Sequence, residues 1–419
     1  PSSSHDPRSR PIVAVRPPDR FMNRFVVVGA GPAGLSLALQ LSRDGHIVEL
    51  VEASRQFSRV FRGDALMPCG QEALARMGLN HLLSSLPQRP LAGWNVWVNR
   101  RRLFSVAEPM GSLQPCRLVP QQALLETLLQ EARQQPSLRW HPGQAVKALL
   151  RIGQRISGVQ LSDGTTLDAD LVVGGDGRTS LLRRDAGIPL HQQGRGLDLL
   201  WFELPGPLPD ALDGGFNTHL AGGALGSSCI GARGELQLAW LLPHGGPAPQ
   251  RSLEAWGQAW ANLLPPPLGE LVQQRAADLQ GPLRVSVQVG MAQRWHQPGL
   301  LLLGDAAHPM SPVRAQGINM ALRDSLVAAH WLGQATRDQL DQAAASVEQQ
   351  RRPEIIRMQA LQSAEARQGH LVGHQAVIRS ILSAGAPLLG PIAQRVWQAR
   401  QTPLRVGLAD ALPMPLLSP

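Results

Sequence analysis

Apolar positions near the start of the chain follow two different repeats. Residues 25–28 form a continuous apolar run, which is typical of a buried strand. Apolar residues then recur at helical spacing over residues 35–41, and residues 46–52 form a second strand pattern that ends in an acid. The order strand, helix, strand predicts a βαβ unit.

The remaining pattern predicts a sheet-rich middle and a helical end. Helical repeats cover residues 71–79 and 120–134, alternation predicts a strand at 94–98, and strands fill 145–175. Residues 190–295 are rich in Gly and Pro with alternating pieces, which favours an antiparallel sheet. A buried strand at 300–303 precedes helices expected over 318–370 and 374–400.

Composition restricts the class of protein. The chain has 419 residues, 43% of them apolar and 17% charged, which predicts two or three globular domains. No apolar stretch reaches 18 residues, so we expect no transmembrane helix. Residues 1–20 are rich in Pro, Ser and Arg and predict a disordered tail. The three cysteines match neither a zinc site nor a disulfide framework, so we expect no metal and a cytoplasmic location.

The charge balance is basic but dispersed. The net charge is +9, and Lys147 is the only lysine, so the positive charge is almost all arginine. The arginines form no long cluster and aromatic residues make up 4%, so we expect no nucleic-acid partner. The chain has no tyrosine, which excludes any mechanism that needs a phenol side chain.

A glycine-rich turn joins the first strand to the first helix. The segment 29–34 reads Gly-Ala-Gly-Pro-Ala-Gly, a dinucleotide-binding fingerprint. Gly29 permits the tight turn, Gly31 lets the backbone approach a pyrophosphate, and Gly34 lets the helix pack on the strand. Glu52 follows Gly34 by 18 residues, where an acid can bind a ribose hydroxyl. This motif alone leaves both NAD and FAD open.

Three later segments carry a resemblance. They are residues 170–180 with Gly-Asp-Gly at 175–177, residues 304–309 reading Gly-Asp-Ala-Ala-His-Pro, and residues 312–319 reading Pro-Val-Arg-Ala-Gln-Gly-Ile-Asn. With the glycine turn, these motifs resemble the single-component flavoprotein monooxygenases, the aromatic hydroxylases of the para-hydroxybenzoate hydroxylase fold. The resemblance covers residues 24 to 365.

The resemblance implies an α/β fold in which a Rossmann-like FAD-binding domain is interrupted by a mainly antiparallel substrate domain. The FAD-binding domain is expected at 21–90, 111–190 and 296–370, the substrate domain at 91–110 and 191–295, and a helical extension at 371–419. The implied cofactor-binding residues are Gly29, Gly31, Ala33, Gly34, Glu52, Arg62, Gln121, Asp176, Gly304, Asp305, Ala315, Gly317 and Asn319. The family has glycine at position 315, and alanine there costs roughly 1 kcal/mol if φ is positive.

The resemblance also implies a reaction. NAD(P)H reduces FAD, O2 adds to give a C4a-hydroperoxyflavin, and an electron-rich apolar small molecule is hydroxylated or epoxidised. No universal catalytic side chain is implied, and His308, Pro312 and His219 are the candidates. An FAD-dependent reductase, a halogenase and a non-catalytic binding protein resembling a GDP-dissociation inhibitor share the scaffold and stay open as alternatives.

Substrate and assembly are less determined. Trp201, Phe202, Phe216 and Trp240 suit a flat apolar substrate or ordinary core packing. The mildly amphipathic segment from residue 386 would cover the pocket, pair subunits or touch a membrane. The expected partners are therefore a small-molecule substrate and O2, with a monomer or homodimer and with peripheral membrane association left open.

Overall fold

A computed structural model describes residues 22–57, 64–111, 114–193, 196–206, 208–209, 212 and 214–412 of the chain. Arg62 and the expected tail at 1–20 lie outside these residues. Within them the fold is mixed α/β, as expected. Helices and strands alternate up to residue 302, and the described elements from residue 316 onward are helical.

The strands, in chain order, are β1 (Arg24–Val28), β2 (Ile47–Glu52), β3 (Ala65–Leu66), β4 (Arg89–Pro90), β5 (Gly93–Val98), β6 (Arg101–Ala107), β7 (Arg117–Leu118), β8 (Leu138–Pro142), β9 (Val146–Ile152), β10 (Arg155–Leu161), β11 (Thr166–Asp168), β12 (Leu171–Gly174), β13 (Leu190–Gln192), β14 (Leu197–Leu204), β15 (Phe216–Ala221), β16 (Ala224–Ile230), β17 (Leu236–Pro243), β18 (Gln280–Val287), β19 (Gly290–Ala292), β20 (His296–Gln297) and β21 (Leu300–Leu302).

The helices are α1 (Pro32–Arg43), α2 (Pro68–Arg76), α3 (Asn80–Ser84), α4 (Gln121–Arg133), α5 (Leu181–Asp185), α6 (Leu253–Leu263), α7 (Pro266–Gln274), α8 (Gln316–Leu332), α9 (Leu340–His374), α10 (Ala376–Ala384) and α11 (Ala386–Val406). Short 3-10 turns lie at Ala276–Asp278, Gly304–Ala306, Val313–Ala315, Arg337–Gln339 and Ala409–Ala411.

A six-stranded sheet carries the glycine-rich turn. Its strand order is β20-β21-β12-β1-β2-β8, and β1 pairs in parallel with both β2 and β12. Its central strands carry apolar side chains on both faces. Helices α1, α4 and α8 pack on one face, and a second cluster of buried apolar residues packs on the other, so both faces are buried. The predicted βαβ unit is confirmed as β1, α1 and β2, and the ends of these strands point toward one edge.

A seven-stranded sheet forms the second large layer. Its order is β18-β14-β17-β16-β15-β5-β6, and every neighbouring pair is antiparallel except β15 with β5. The prediction of a mainly antiparallel sheet is confirmed. The expectation of sheet throughout 190–295 is wrong for α6 and α7. Trp256 and Trp260 of α6 lie on Phe202, with ring centroids at 4.9 and 5.8 Å, so this amphipathic helix is held by the sheet core.

The C-terminal quarter is helical, as predicted. Helix α9 runs unbroken for 35 residues, and α10 and α11 replace the single helix expected at 374–400. Helix α11 crosses β6 closely: a Cβ at Gly390 would lie 2.3 Å from the carbonyl oxygen of Leu103. No single helix of the described residues has the length and apolar character to cross a membrane. The pair Ala376–Ala384 and Ala386–Ala411, bent by 105°, meets that test only when taken together.

The two large sheets are built from alternating segments of the chain. The six-stranded sheet uses residues from 24–52, 138–174 and 296–302, whereas the seven-stranded sheet uses residues from 93–107 and 197–287. We propose that the two sheets mark the discontinuous domains expected from the sequence. The site described next lies where they meet.

Candidate active site

The three glycines of the turn serve two purposes. Gly29 has φ +97°, and its amide donates to the carbonyl oxygen of Val51 at 2.7 Å. A Cβ at Gly29 would lie 2.3 Å from the carbonyl oxygen of Gly175, and one at Gly34 would lie 2.0 Å from that of Gly29. Both glycines are therefore required by the packing of β1, α1 and the segment after β12.

Gly31 differs from its two neighbours. It caps the N-terminus of the 12-residue helix α1 with φ −74°, and a Cβ there would meet no protein atom within 4 Å. The space beside it belongs to the large cavity. An open backbone at a helix N-terminus is the arrangement that binds a pyrophosphate, since free amides and the helix dipole both favour an anion.

Glu52 holds the turn from the end of β2. Its Oε2 accepts a hydrogen bond from the amide of Ala30 at 2.8 Å, and its Oε1 accepts one from the amide of Ser54 at 3.0 Å. The residue is only 5% exposed, yet it lines the cavity. Because each carboxylate oxygen has two lone pairs, Glu52 can fix the turn and also accept a ribose hydroxyl.

Asp305 lies in the 3-10 turn after β21, close to α1, since a Cβ at Gly304 would lie 3.3 Å from the Cβ of Ala33. Its Oδ2 accepts a hydrogen bond from Nε of Arg178 at 3.1 Å, and both residues line the cavity. Gly304 precedes it with φ +56°, and the Gly304 amide donates to Oδ2 of Asp324 at 3.0 Å. Asp324 thus anchors the turn, and Asp305 borders the cavity between the two sheets.

Both carboxylate oxygens of Asp176 accept hydrogen bonds from the protein itself. Its Oδ1 accepts from Ser180 Oγ at 2.6 Å and its Oδ2 from the amide of Leu182 at 3.1 Å, so it closes the turn before α5. Burial raises the pKa of its carboxyl. It still lines the cavity beside Gly177.

The segment before α8 contains two strained residues. Arg314 and Ala315 have φ of 59° and 48°, the left-handed conformation that costs a side chain roughly 1–2 kcal/mol. The condition under which alanine at position 315 carries a conformational cost, a positive φ, is therefore met. Pro312, Ala315 and Gly317 all line the cavity.

Asn319 supports this segment from behind. Its Oδ1 accepts from the amide of Met67 at 2.8 Å, and its Nδ2 donates to the carbonyl oxygens of Ala65 at 3.1 Å and Ala315 at 2.8 Å. Its side chain is fully buried and is not among the described residues that line the cavity. Asn319 therefore links the segment before α8 to the backbone near β3, and its expected contact with the cofactor stays a prediction.

His308 is part of a buried ionic network. Its Nε2 lies 2.6 Å from Oδ2 of Asp324, whose other oxygen accepts from Nε of Arg351 at 2.8 Å. Burial alone would raise the pKa of Asp324, but His308 and Arg351 outweigh it and hold the pKa below its usual range. Arg351 also pairs with Glu354. His308 is 1% exposed and is not among the described cavity-lining residues, and Asp324 links it to the amide of Gly304.

His219 also lies away from the cavity surface among the described residues. It is fully buried in β15, its Nε2 lies 2.9 Å from Ser228 Oγ, and its ring stacks on Trp97 at 6.4 Å. Burial lowers its pKa to about 3, so it stays neutral at ordinary pH. Like His308 it does not line the cavity among the described residues, which leaves Pro312 as the cavity-lining member of the three catalytic candidates.

The cavity has a volume of about 2810 Å³ and extends from the glycine turn to the face of the seven-stranded sheet. A pocket for one drug-sized ligand measures about 300–1,000 Å³, so this cavity can hold a dinucleotide together with a large second molecule. The described residues from the cofactor prediction that line it are Gly29, Gly31, Ala33, Glu52, Gln121, Asp176, Gly304, Asp305, Ala315 and Gly317. Gly34 and Asn319 lie behind that surface.

Aromatic rings form one wall of the cavity. Trp94 lies 5.3 Å from Phe216 and 6.1 Å from Trp397, and Phe104 lies 5.7 Å from Trp397, all measured between ring centroids. Of the aromatic residues singled out in the sequence, Trp201, Phe216 and Trp240 line the cavity, whereas Phe202 belongs to the core under α6. Trp397 belongs to α11, so the helix that begins at residue 386 lines part of the cavity.

Three of the cavity-lining polar groups, Asp64, Arg314 and Glu365, were not among the cofactor-binding residues expected from the sequence. Asp64 accepts from Gln237 Nε2 at 3.1 Å and from the amide of Gln121 at 3.3 Å, and burial raises its pKa to about 6. Arg314 and Glu365 form an ion pair between the α8 segment and α9. Asp64 and Glu365 lie outside the motifs identified in the sequence, and Arg314 lies inside the motif at 312–319, but only the fold brings it to Glu365.

Comparison with known proteins agrees with this geometry. Residues 23–360 match the family described as FAD binding domain. The chain is 33% identical to 6-methylpretetramide 4-monooxygenase of Streptomyces rimosus over 409 residues, which is 93% of this chain and 96% of that protein. It is 28% identical to 3-demethoxyubiquinol 3-hydroxylase of Escherichia coli K12, covering 72% of this chain and 77% of that protein.

Solved structures share the fold. PqsL of P. aeruginosa in complex with 2-aminobenzoylacetate has a TM-score of 0.72 at 20% identity, covering 86% of this chain and 99% of the other. The tetrameric form of 2-methyl-3-hydroxypyridine-5-carboxylic acid oxygenase has a TM-score of 0.69 at 22% identity, with 89% and 98% covered.

This chain belongs to the FAD binding domain family, and it is an FAD-dependent monooxygenase of the aromatic hydroxylase type that uses NAD(P)H as co-substrate. The hydroxylase interpretation is thereby confirmed over the reductase, halogenase and non-catalytic alternatives.

Proposed function

Starting from this family membership, we propose that the enzyme hydroxylates a planar, oxygenated, polycyclic aromatic molecule. The observation that carries the proposal is the cavity of about 2810 Å³ with its wall of Trp94, Phe104, Phe216 and Trp397. Aromatic rings stack on a flat substrate with well-defined geometry. The similarity over nearly the full length to a monooxygenase named for 6-methylpretetramide supports the same substrate class.

We propose the following placement for the cofactor. Gly31 and the N-terminus of α1 would hold the pyrophosphate of FAD, and Glu52 would accept hydrogen bonds from a ribose. Asp305 would bind the ribityl chain, and the strained segment from Pro312 to Gly317 would face the flavin ring. The open Cβ position at Gly31 and the cavity-facing carboxylates support this placement.

Bound FAD, once reduced, supplies the oxygen-activating chemistry. The protein's own residues then orient the substrate and exclude water. The aromatic wall and α11 shield the substrate side, and the buried network of His308, Asp324 and Arg351 fixes the turn that presents Asp305. Since the chain has no tyrosine and His219 and His308 lie outside the cavity surface, any substrate proton must leave through another group or through water.

The test is a substrate panel with the FAD-loaded protein. NADH and NADPH oxidation would be followed with hydroxylated anthraquinones and tetracyclic phenols on one side and 4-hydroxybenzoate on the other, with mass spectrometry of the products. We expect polycyclic compounds to accelerate oxidation and to gain one oxygen atom. Stimulation by the single-ring phenol alone would contradict the polycyclic assignment.

Two finer statements stay proposals from the sequence. They are a cytoplasmic location and a monomeric or homodimeric state. Free, buried Cys69, Cys116 and Cys229 are compatible with a reducing compartment. Light scattering of the purified protein and cell fractionation would test them.

A further inference from the structure

Arg314 is a buried arginine that packs against two tryptophans. Its side chain is 6% exposed, and its guanidinium carbon lies 4.8 Å from the ring centroid of Trp94 and 5.0 Å from that of Trp397. Both distances are within the range of cation–π attraction. The residue lines the cavity at the aromatic wall.

Three distant parts of the chain converge on this side chain. Trp94 lies on β5, Trp397 on α11, and Glu365 on α9. Glu365 accepts a hydrogen bond from Nη2 of Arg314, and it also accepts one from Gln401 Nε2 at 3.1 Å. The guanidinium therefore contacts two indole rings, whose centroids lie 6.1 Å apart, and pairs with Glu365 along one edge.

The backbone under Arg314 is held in its strained conformation by neighbours. Gln362 donates to the carbonyl oxygens of Ser311 at 2.9 Å and Val313 at 2.6 Å. Gln316 donates to those of Arg314 at 3.2 Å and Leu404 at 2.7 Å. Left-handed residues that the surroundings over-determine in this way are concentrated at functional sites.

Part of the guanidinium has no partner. Within the described ranges its hydrogen bonding uses Nη2 alone, and Nε is buried without an acceptor. An arginine stays charged even when buried, and an unsatisfied buried donor costs free energy that a ligand acceptor would recover. Nη1 also has no acceptor among these residues, and the side chain borders the cavity.

We infer that Arg314 and its two tryptophans form a subsite for a keto or phenolate oxygen on the edge of a planar polycyclic substrate. This inference rests on the proposed function and adds to it the group that fixes the orientation of the ring system. Arg314 donates to the oxygen, and the aromatic wall contacts the rings. Glu365 balances the charge of Arg314, so the subsite accepts a neutral keto oxygen as well as an ionised one.

The experiment measures binding of alizarin, a dihydroxyanthraquinone whose visible spectrum reports its ionisation, to the FAD-loaded protein. Four proteins are compared: wild type, Arg314→Met, Arg314→Lys and Arg395→Met. Arg395 is an exposed arginine on α11 outside the cavity lining, so its variant controls for the loss of one positive charge nearby. The flavin content of each protein is measured first.

We expect wild type and Arg395→Met to bind alizarin alike, and Arg314→Met to bind it about tenfold more weakly or worse, with a smaller spectral shift toward the ionised form. Arg314→Lys should recover part of the affinity because it keeps a charged donor. Equal affinity and equal spectra in Arg314→Met would overturn the subsite alone. Absence of alizarin binding to wild type would overturn the polycyclic substrate class and the subsite with it. Loss of FAD from Arg314→Met with alizarin binding retained would assign the residue to the flavin segment and also overturn the subsite.

Discussion

Glu52 and Ala30 are joined by a 2.8 Å hydrogen bond from the Ala30 amide to Oε2 of Glu52, which ties the end of β2 to the glycine turn after β1. The contact spans 22 residues in sequence. The acid at the end of the second strand therefore fixes the turn of the protein, in addition to the ribose contact that we propose for it. A substitution there should therefore disturb the cofactor site in two ways.

We expect Glu52→Gln to weaken FAD binding by about tenfold or more, because a neutral amide cannot accept from both Ala30 and Ser54 and binds a ribose hydroxyl less strongly. Titration of FAD into the flavin-free protein, followed by flavin fluorescence, gives the dissociation constant. Glu49→Gln is the control, since Glu49 is buried on the same strand and binds His141 at 2.7 Å outside the cavity. Equal losses in both variants would count against a specific role for Glu52.

Gly31→Val should abolish FAD binding while leaving the fold intact. The added Cβ meets no protein atom within 4 Å, and the side chain projects into the space that we propose for the pyrophosphate. The flavin-free variant should melt at the wild-type temperature, as followed by circular dichroism. Gly34→Ala is the counterpart: its Cβ would lie 2.0 Å from the Gly29 carbonyl oxygen, so it should lower the melting temperature. A purified Gly31→Val protein that is fully yellow would refute the placement of the pyrophosphate.

Ala315→Gly should stabilise the protein by about 1 kcal/mol or leave it unchanged. Relief of the left-handed strain is worth roughly 1–2 kcal/mol, and the extra freedom of glycine in the unfolded chain offsets about 0.4–1 kcal/mol. Urea unfolding measures the difference. Ala329→Gly, within helix α8, should instead destabilise by about 1 kcal/mol. A loss at position 315 equal to that at 329 would contradict the strained conformation.

His219 should make the fold sensitive to acid. Burial lowers its folded pKa to about 3 from 6.5, so between these values the unfolded chain binds a proton that the folded chain does not. The free energy of unfolding should therefore fall as pH drops below 6.5, by about 1.4 kcal/mol per pH unit from this residue. In His219→Gln the loss between pH 7 and 5 should be smaller by about 2 kcal/mol. His370→Gln, at an exposed position on α9, is the control and should keep the wild-type loss.

Asp64 should have the opposite effect. Its folded pKa is raised to about 6, above the ordinary 3.8, so the folded protein binds the extra proton and loses stability as pH rises from about 4 to 6. We expect Asp64→Asn to be more stable than wild type at pH 8 by about 2 kcal/mol, after allowance for a weakened hydrogen bond to Gln237. Denaturant unfolding at pH 5 and 8 measures the change. An unchanged pH dependence, with exposed Asp410→Asn as reference, would show that Asp64 does not titrate in this range.

The sequence by itself determined the features that local pattern encodes. The βαβ unit at residues 24–52, the glycine turn, the mainly antiparallel sheet and the C-terminal helices follow from apolar periodicity and turn residues. The motifs also indicated the flavoprotein monooxygenase family. The spacing of the glycines and of the acid that follows them is set by the local geometry of a short strand–turn–helix unit, so it can be read from the sequence. Ten of the thirteen residues expected at the cofactor line the cavity, since each sits at the end of a strand or the start of a helix.

The tertiary structure alone decided which side chains meet. The sequence analysis missed helices α6 and α7 because their stability depends on packing against the sheet core that contains Phe202. In addition, the neighbouring sequence is rich in Gly and Pro, which obscures the helical repeat of apolar residues. Histidine and asparagine are residue types that suit catalysis or binding. His308, His219 and Asn319 are nevertheless buried, and they form hydrogen bonds with Asp324, Ser228 and Met67, respectively. Conversely, Arg314 meets Trp94, Glu365 and Trp397 from separate parts of the chain. Such contacts depend on how distant elements pack, which no short-range repeat of residues specifies.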